Sequence, residues 1–338
     1  MADMRKLLLF LVSLLVGLGL FFWILNTIGW QEIKKVLLVF TGWKGLVIFL
    51  LTFLMMLLGN WKWREILKSE NVKISFFELF KSYLAGFALM FLAPIIFWGG
   101  ELFRGYVLKE KNSIPWPKGM GSVVIDRILE WTTNLIVVFI GSIFFVFLIN
   151  FPPLKLITIF GGAFLFVLFA LGLFYFKCIK KESIVGFFLR NNQNQPLETE
   201  KEVFNFFNFR KSAVWKGFGI SFLRAGVMCL RAWILILFLG KNFGPLESLS
   251  ILGFSYLAAM IPLPTSLGSH EAIQTFAFNS LGLGASTAAA FTMIIRGAEL
   301  IFALAGIAFF LRLGIGLLKK ALLTKIAKVE DLVEEKNV

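Results

Sequence analysis

The stretch GGELFRGYVLKEKNSIPWPKGMGSVVIDRILEW, residues 99 to 131, has a partner later in the chain, IPLPTSLGSHEAIQTFAFNSLGLGASTAAAFTMIIRGAELI, residues 261 to 301. In each, a proline-containing apolar arm leads to glycine and a glutamate, and farther along Arg-x-x-Glu falls inside a long apolar run. Pro94, Glu101, Arg127 and Glu130 match Pro264, Glu271, Arg296 and Glu299 in order, at a separation that changes by a single position across the four. One spacing uniting four rare residues indicates internal duplication.

Around this repeat the chain is 338 residues long, 58% hydrophobic and 16% charged, too apolar for an aqueous globule. Eight apolar segments can be drawn, at about 7 to 29, 43 to 60, 76 to 98, 119 to 150, 154 to 176, 215 to 240, 248 to 268 and 286 to 311. A crossing helix needs roughly 20 apolar residues, and lipid offers backbone groups no partners, so spanning helices follow. The first run follows Arg5 and Lys6 but is long and has no small-residue cleavage site after it, so it reads as a retained span.

Charge decides the threading. If all eight segments crossed from a cytoplasmic N-terminus, the basic stretches Arg104 to Lys118 and Lys177 to Lys216 would lie outside, against the usual bias. If the third and seventh segments are re-entrant hairpins, six crossings remain. Lys62, Arg64, Lys68 and Lys73, the two basic stretches, and Lys319 to Lys328 then all face the cytoplasm. The loops at Phe151, Pro152 and Pro153 and at Gly282 to Ala285 are external and nearly uncharged, and only the loop with Lys34, Lys35 and Lys44 dissents. This threading gives the two copies opposite orientation. The expected fold is an all-α integral membrane protein, a polytopic helical bundle with an internal inverted repeat and two re-entrant helical hairpins. Their turns fall at Pro94, Gly99 and Gly100, and at Pro262, Pro264 and Gly268. Both termini are expected on the cytoplasmic side of the cytoplasmic (inner) membrane.

Charged groups at membrane depth cost about 2.5 to 3.5 kcal/mol each on insertion scales, so they pair or face a wet cavity. Arg127 with Glu130 and Arg296 with Glu299 are i,i+3 neighbours on a helix face. Arg104, Arg127 and Arg296 are the candidate ligands for an anionic headgroup, for which the guanidinium fork suits phosphate. Glu101, Asp126, Glu130, Glu271 and Glu299 would hold those arginines or handle protons. Helix starts after Gly99–Gly100 and after Gly268–Ser269 add N–H groups and a positive dipole end. The same residues also fit a purely structural reading, in which ion pairs pin the hairpins to the long helices. Arg224 and Arg231 share a face of the sixth segment but are read as lacking a counterpart in the first half.

Several classes are disfavoured. Cys178 and Cys229 are far apart and His270 is the sole histidine, so neither a disulfide framework nor a metal site is expected, and no cofactor. The net charge of +14 sits mainly in short loops beside apolar runs, where anionic headgroups rather than nucleic acid would meet it. Trp30, Trp43, Trp61, Trp63, Trp116 and Trp215 fall near span ends and read as interfacial anchors. The tract from Asn191 to Lys211 reads as an interfacial helix. No G-x-S-x-G, P-loop or H-E-x-x-H occurs, so no enzyme activity is expected.

The two quoted stretches resemble the lysylphosphatidylglycerol synthase transmembrane, or flippase-like, family, a resemblance that covers nearly the whole chain, through Leu317. Its hallmarks fall on Gly100, Glu101, Arg104, Asp126 and Arg127, then on Pro262, Pro264, Gly268, Glu271 and Arg296. One departure is the run Ser266, Leu267, Gly268, Ser269, His270, where many members carry Gly-Gly-x-Gly. Larger members join this part to a soluble domain that transfers an amino acid from aminoacyl-tRNA to phosphatidylglycerol. No such domain is in this sequence, so the resemblance implies the translocating part alone. The division implied is a flippase-like transmembrane domain over 1–316, with repeat one at about 43–150 and repeat two at about 215–311, and a charged cytoplasmic tail over 317–338. The expected function is lipid transport of an anionic phospholipid, glycolipid or polyprenyl-phosphate-linked lipid. The alternatives are an intramembrane enzyme and a scaffold for a lipid-modifying or glycosyl-transfer pathway. Membrane lipids are the expected partners, with a second copy or a pathway enzyme as further candidates.

Overall fold

The computed structural model describes residues 42–92, 99–149, 154–188, 194–208, 211–260 and 266–334. All regular structure among them is helical. In chain order the helices are α1 (Trp43–Ser69), α2 (Phe76–Leu92), α3 (Gly99–Asn112), α4 (Trp116–Ile149), α5 (Leu154–Lys180), α6 (Val185–Phe188), α7 (Asn194–Phe206), α8 (Ser212–Phe238), α9 (Pro245–Met260), α10 (Ser266–Ser280) and α11 (Ala285–Glu334). Five are long and apolar enough to cross a membrane: α1, α4, α5, α8 and α11. They coincide with five of the six crossings expected. The sixth, residues 7 to 29, lies outside the described residues, as do Trp30, Pro94, Pro262 and Pro264.

The third and seventh segments each carry one short helix that is followed by another, α2 by α3 and α9 by α10. At 1.5 Å per residue, α2 is about 25 Å long and α3 about 21 Å. They pack antiparallel: Gly86 lies against Gly100 near the tip, while at the open end Glu78 meets Lys111 at 3.1 Å and accepts from Asn112 Nδ2 at 3.2 Å. A Cβ on Gly100 would run into the Gly86 carbonyl, so this approach needs glycine. In the second pair, Phe254 of α9 packs on Phe276 of α10, and Gln274 donates to Ser255.

Helix boundaries repeat with the sequence spacing. Trp43 and Ser212, Phe76 and Pro245, and Trp116 and Ala285 all stand at the separation of Arg127 from Arg296, and Gly99 and Ser266 fall just short of it. Even the end of the first helix repeats. Asn71 (φ 61°) and Gly240 (φ 77°), at that same separation, take the left-handed conformation just past α1 and α8. The amide after each returns to a helix carbonyl, Val72 to Leu67 and Lys241 to Ile236. Asparagine and glycine are the residues that tolerate this C-terminal cap. Packing follows the same exchange: α1 lies on α8, α2 on α11 and α9 on α4. Gly141 of α4 faces Gly253 of α9, and Gly306 of α11 faces Leu84 and Ala88 of α2. The bundle exterior is apolar, with Leu165, Phe166 and Phe169 of α5 exposed as expected of a lipid-facing helix.

Two expectations are corrected. Lys62 does not sit in a cytoplasmic loop, because α1 runs unbroken to Ser69 and leaves this side chain 1% exposed. Trp63 is not an interfacial anchor: it is 0% exposed and donates from Nε1 to Ser122 Oγ at 3.0 Å. Trp43, Trp61 and Trp215 are exposed and fit that role. The last helix runs into the expected tail as far as Glu334, and within the Asn191 to Lys211 tract Asn194–Phe206 form α7, which packs on α4 with Val203 and Phe206 buried.

Candidate functional site

Inside the bundle the polar side chains form a layer that begins on α4. Asp126 takes two cations: Lys62 Nζ lies 2.9 Å from Oδ1 and also donates to the Asp126 carbonyl at 3.1 Å, while Arg104 Nη1 meets Oδ2 at 2.9 Å. The guanidinium of Arg104 lies over Trp63, 3.9 Å from the ring centroid, with Tyr83 at 5.1 Å. Its Nε and Nη2 have no hydrogen-bond partner, so the π faces supply their electrostatic complement.

Next to Asp126 on α4, Arg127 bridges two glutamates. Its Nε meets Glu101 Oε1 at 2.8 Å, its Nη1 meets Glu130 Oε2 at 2.9 Å, and its Nη2 donates to Met90 Sδ at 3.0 Å. Glu101 reaches it from the first turn of α3, where the helix dipole favours a carboxylate. The i,i+3 contact expected from the Arg-x-x-Glu spacing is therefore present, together with the hairpin contact. The second oxygen of Glu130 accepts from Arg224 Nη1 of α8.

On the other half, Arg231 of α8 meets Glu299 of α11 at 3.0 Å and donates to Thr52 Oγ1 of α1 at 3.1 Å. Thr52 itself donates to the Ile48 carbonyl at 2.8 Å. The reading of Arg231 as lacking a counterpart is corrected, since Lys62 precedes it by the separation of Arg127 from Arg296 and holds the place on α1 that Arg231 holds on α8. In both halves a cation on the first helix bonds a carboxylate on the fourth. Lys62, Arg224 and Arg231 are the members that sequence reasoning missed as partners. The spacing of the repeat was the available signal for Lys62. Arg224 carried none, because its partner Glu130 lies on a helix far away in sequence.

The other expected residues are placed as follows. Arg296 is half-buried on α11. Glu271 and Gly268 lie on the first turns of α10, and the side chain of Glu271 is outside the described residues. Gly99 and Gly100, expected to precede the helix, are instead the first two residues of α3. Among the described residues no group of three His, Cys, Asp or Glu side chains comes together to hold a metal ion. Between α1, α4, α8 and α9 a small cleft reaches the layer, walled by Lys62, Glu130, Asn134, Ser221, Arg224 and Tyr256.

Residues 10–306, which hold every member of this layer, match the model of a family described as the lysylphosphatidylglycerol synthase TM region. The chain belongs to that family. A relative of this synthase TM region member is the UPF0104 membrane protein MJ1595 of Methanocaldococcus jannaschii. It is 23% identical over 288 residues, which cover 81% of this chain and 85% of the relative. The family match and the five candidate spans make the chain a multi-pass helical membrane protein.

Proposed function

We propose that this member of the synthase TM region family is a lipid transporter of the cytoplasmic membrane that carries an anionic, phosphate-bearing headgroup through its ion-pair layer. The observation that supports it is a charge imbalance. Among the described residues of the layer, five cations, Lys62, Arg104, Arg127, Arg224 and Arg231, share four carboxylates, Glu101, Asp126, Glu130 and Glu299, carried by the short α3 and by α1, α4, α8 and α11, which are long enough to cross. Buried ions are retained at a desolvation cost of several kcal/mol each, and a surplus cation invites an anion from the bilayer. In this reading the two halves are inverted, the short hairpins are re-entrant, and Arg104, Arg127 and Arg296 hold the headgroup while the tails stay in lipid. The glutamates secure the arginines between cycles. No catalytic step is required, and both termini face the cytoplasm.

The test is leaflet exchange of a headgroup-labelled anionic phospholipid in vesicles containing the purified protein. The Arg127→Ala, Arg296→Ala variant is expected to fall to the protein-free rate. Exchange at the wild-type rate would remove both residues from the mechanism.

A further inference from the structure

The cleft between α1, α4, α8 and α9 carries an excess of donors. Ser221 is 4% exposed and its Oγ has no hydrogen-bond partner, although it lines the cleft. Arg224 uses Nη1 on Glu130, and its Nε is buried without a partner. Lys62 directs two contacts at Asp126, and an ammonium has three hydrogens. Tyr256 spends its hydroxyl on Met228 Sδ at 3.1 Å, a weak acceptor. Buried donors left without acceptors are costly, so the cleft favours a group that brings further acceptor oxygens, and an anion meets its two cations best. Glu130 already does part of this work, since its two oxygens join Arg127 to Arg224 in the way that two oxygens of a phosphate bridge guanidinium groups. The remaining wall, Ala225 and Met228, is apolar.

We infer that the phosphate of a membrane amphiphile binds in this cleft on Arg224, Lys62 and Ser221, displacing Glu130 from Arg224 while Glu130 stays on Arg127. The built-in carboxylate and the incoming phosphate are competitors for one guanidinium. The inference rests on the lipid-transport reading for the source of the phosphate; the donor geometry alone would suit inorganic phosphate as well.

Competition gives the site a signature that a structural ion pair lacks. Binding is measured by titrating the purified full chain in neutral detergent with dodecyl phosphate and, separately, with inorganic phosphate. The wild type is expected to bind dodecyl phosphate saturably, Glu130→Gln about tenfold more tightly, Ser221→Ala several-fold more weakly, and Arg224→Gln not measurably. Ser221→Ala keeps the proposal testable if Arg224→Gln fails to fold. Unchanged or weaker binding by Glu130→Gln would overturn the competition, and full affinity in Ser221→Ala would overturn the cleft as the seat. Equal affinity for inorganic phosphate would overturn the assignment to a lipid. Leaflet exchange separates the two proposals. Exchange that is lost in the Arg127, Arg296 variant, without tightening in Glu130→Gln, keeps transport and sinks this site. Tightening without any wild-type exchange does the reverse.

Discussion

The Lys62 ammonium lies 2.9 Å from the Asp126 carboxylate with both side chains sealed from solvent, and Arg104 closes the other oxygen. The two cations are therefore not equivalent to the carboxylate in what their loss would leave behind. Lys62→Met leaves Asp126 still neutralised by Arg104, whereas Asp126→Asn strands two buried cations. Removing one partner of a buried pair typically costs about 3 to 5 kcal/mol. Lys62→Met is expected at or below the lower end and Asp126→Asn at or above the upper end, read as loss of melting temperature in detergent. Adding Lys62→Met to Asp126→Asn should restore stability, because one stranded cation is gone. The reverse order of the two single variants would show that Asp126 is not the hub.

Close helix approach at small residues is a second testable feature. A Cβ at Gly141 would lie 2.7 Å from the Leu249 carbonyl, and one at Gly306 would run into the Leu84 carbonyl, both backbone atoms that cannot swing away. Gly141→Ala and Gly306→Ala should each destabilise by about 1 to 3 kcal/mol through overpacking. Gly172→Ala, with nothing within 4 Å, should leave the melting temperature unchanged or slightly higher. Equal tolerance at all three positions would mean that α4–α9 and α11–α2 are not packed this closely.

How much of this was legible follows from what each signal depends on. Five of the spans and the Arg127–Glu130 contact were readable because they need only apolar length and helical spacing. Lys62 was misplaced because hydropathy falls after Asn60 and Arg64 and Lys68 follow, which imitates a loop. The helix nevertheless continues, burying Lys62, Trp63, Ile66 and Leu67 at helical spacing on one face. The Glu130–Arg224 and Arg231–Glu299 pairs join helices distant in sequence, and no local pattern encodes which of several buried arginines meets which glutamate.

The hairpins predict which positions share a side of the membrane. Lys73 and Lys111 are exposed at the open end of α2–α3, and Asn242 and Asn279 at the open end of α9–α10. With Cys178 and Cys229 replaced by serine, single cysteines at Lys73 and Lys111 should react with an impermeant maleimide from one side of a sealed vesicle. Cysteines at Asn242 and Asn279 should react from the other. Opposite-side labelling of Lys73 and Lys111 would make α2–α3 a crossing, and same-side labelling of all four would remove the inversion.

The contact between the end of α1 and α7, outside the spans, should make stability depend on pH. Glu70, just past α1, is paired with Glu202 of α7, where Gly121 of α4 allows the Glu202 Cβ to approach to 3.2 Å of its own Cβ position. Burial, then the charge of Glu202 and the hydrogen bond to it, pushes the Glu70 carboxyl above its ordinary range, with Lys211 and Lys118 pulling weakly the other way. The folded chain thus binds a proton that the unfolded chain releases near pH 4.3, roughly the ordinary glutamate value. Stability from this group is complete below that pH and declines as pH rises through the raised folded value. Glu70→Gln should abolish the decline, giving a melting temperature above wild type at pH 7 and a difference that shrinks toward pH 4. Parallel melting curves for the two proteins across that range would mean that burial beside Glu202 does not raise the Glu70 carboxyl.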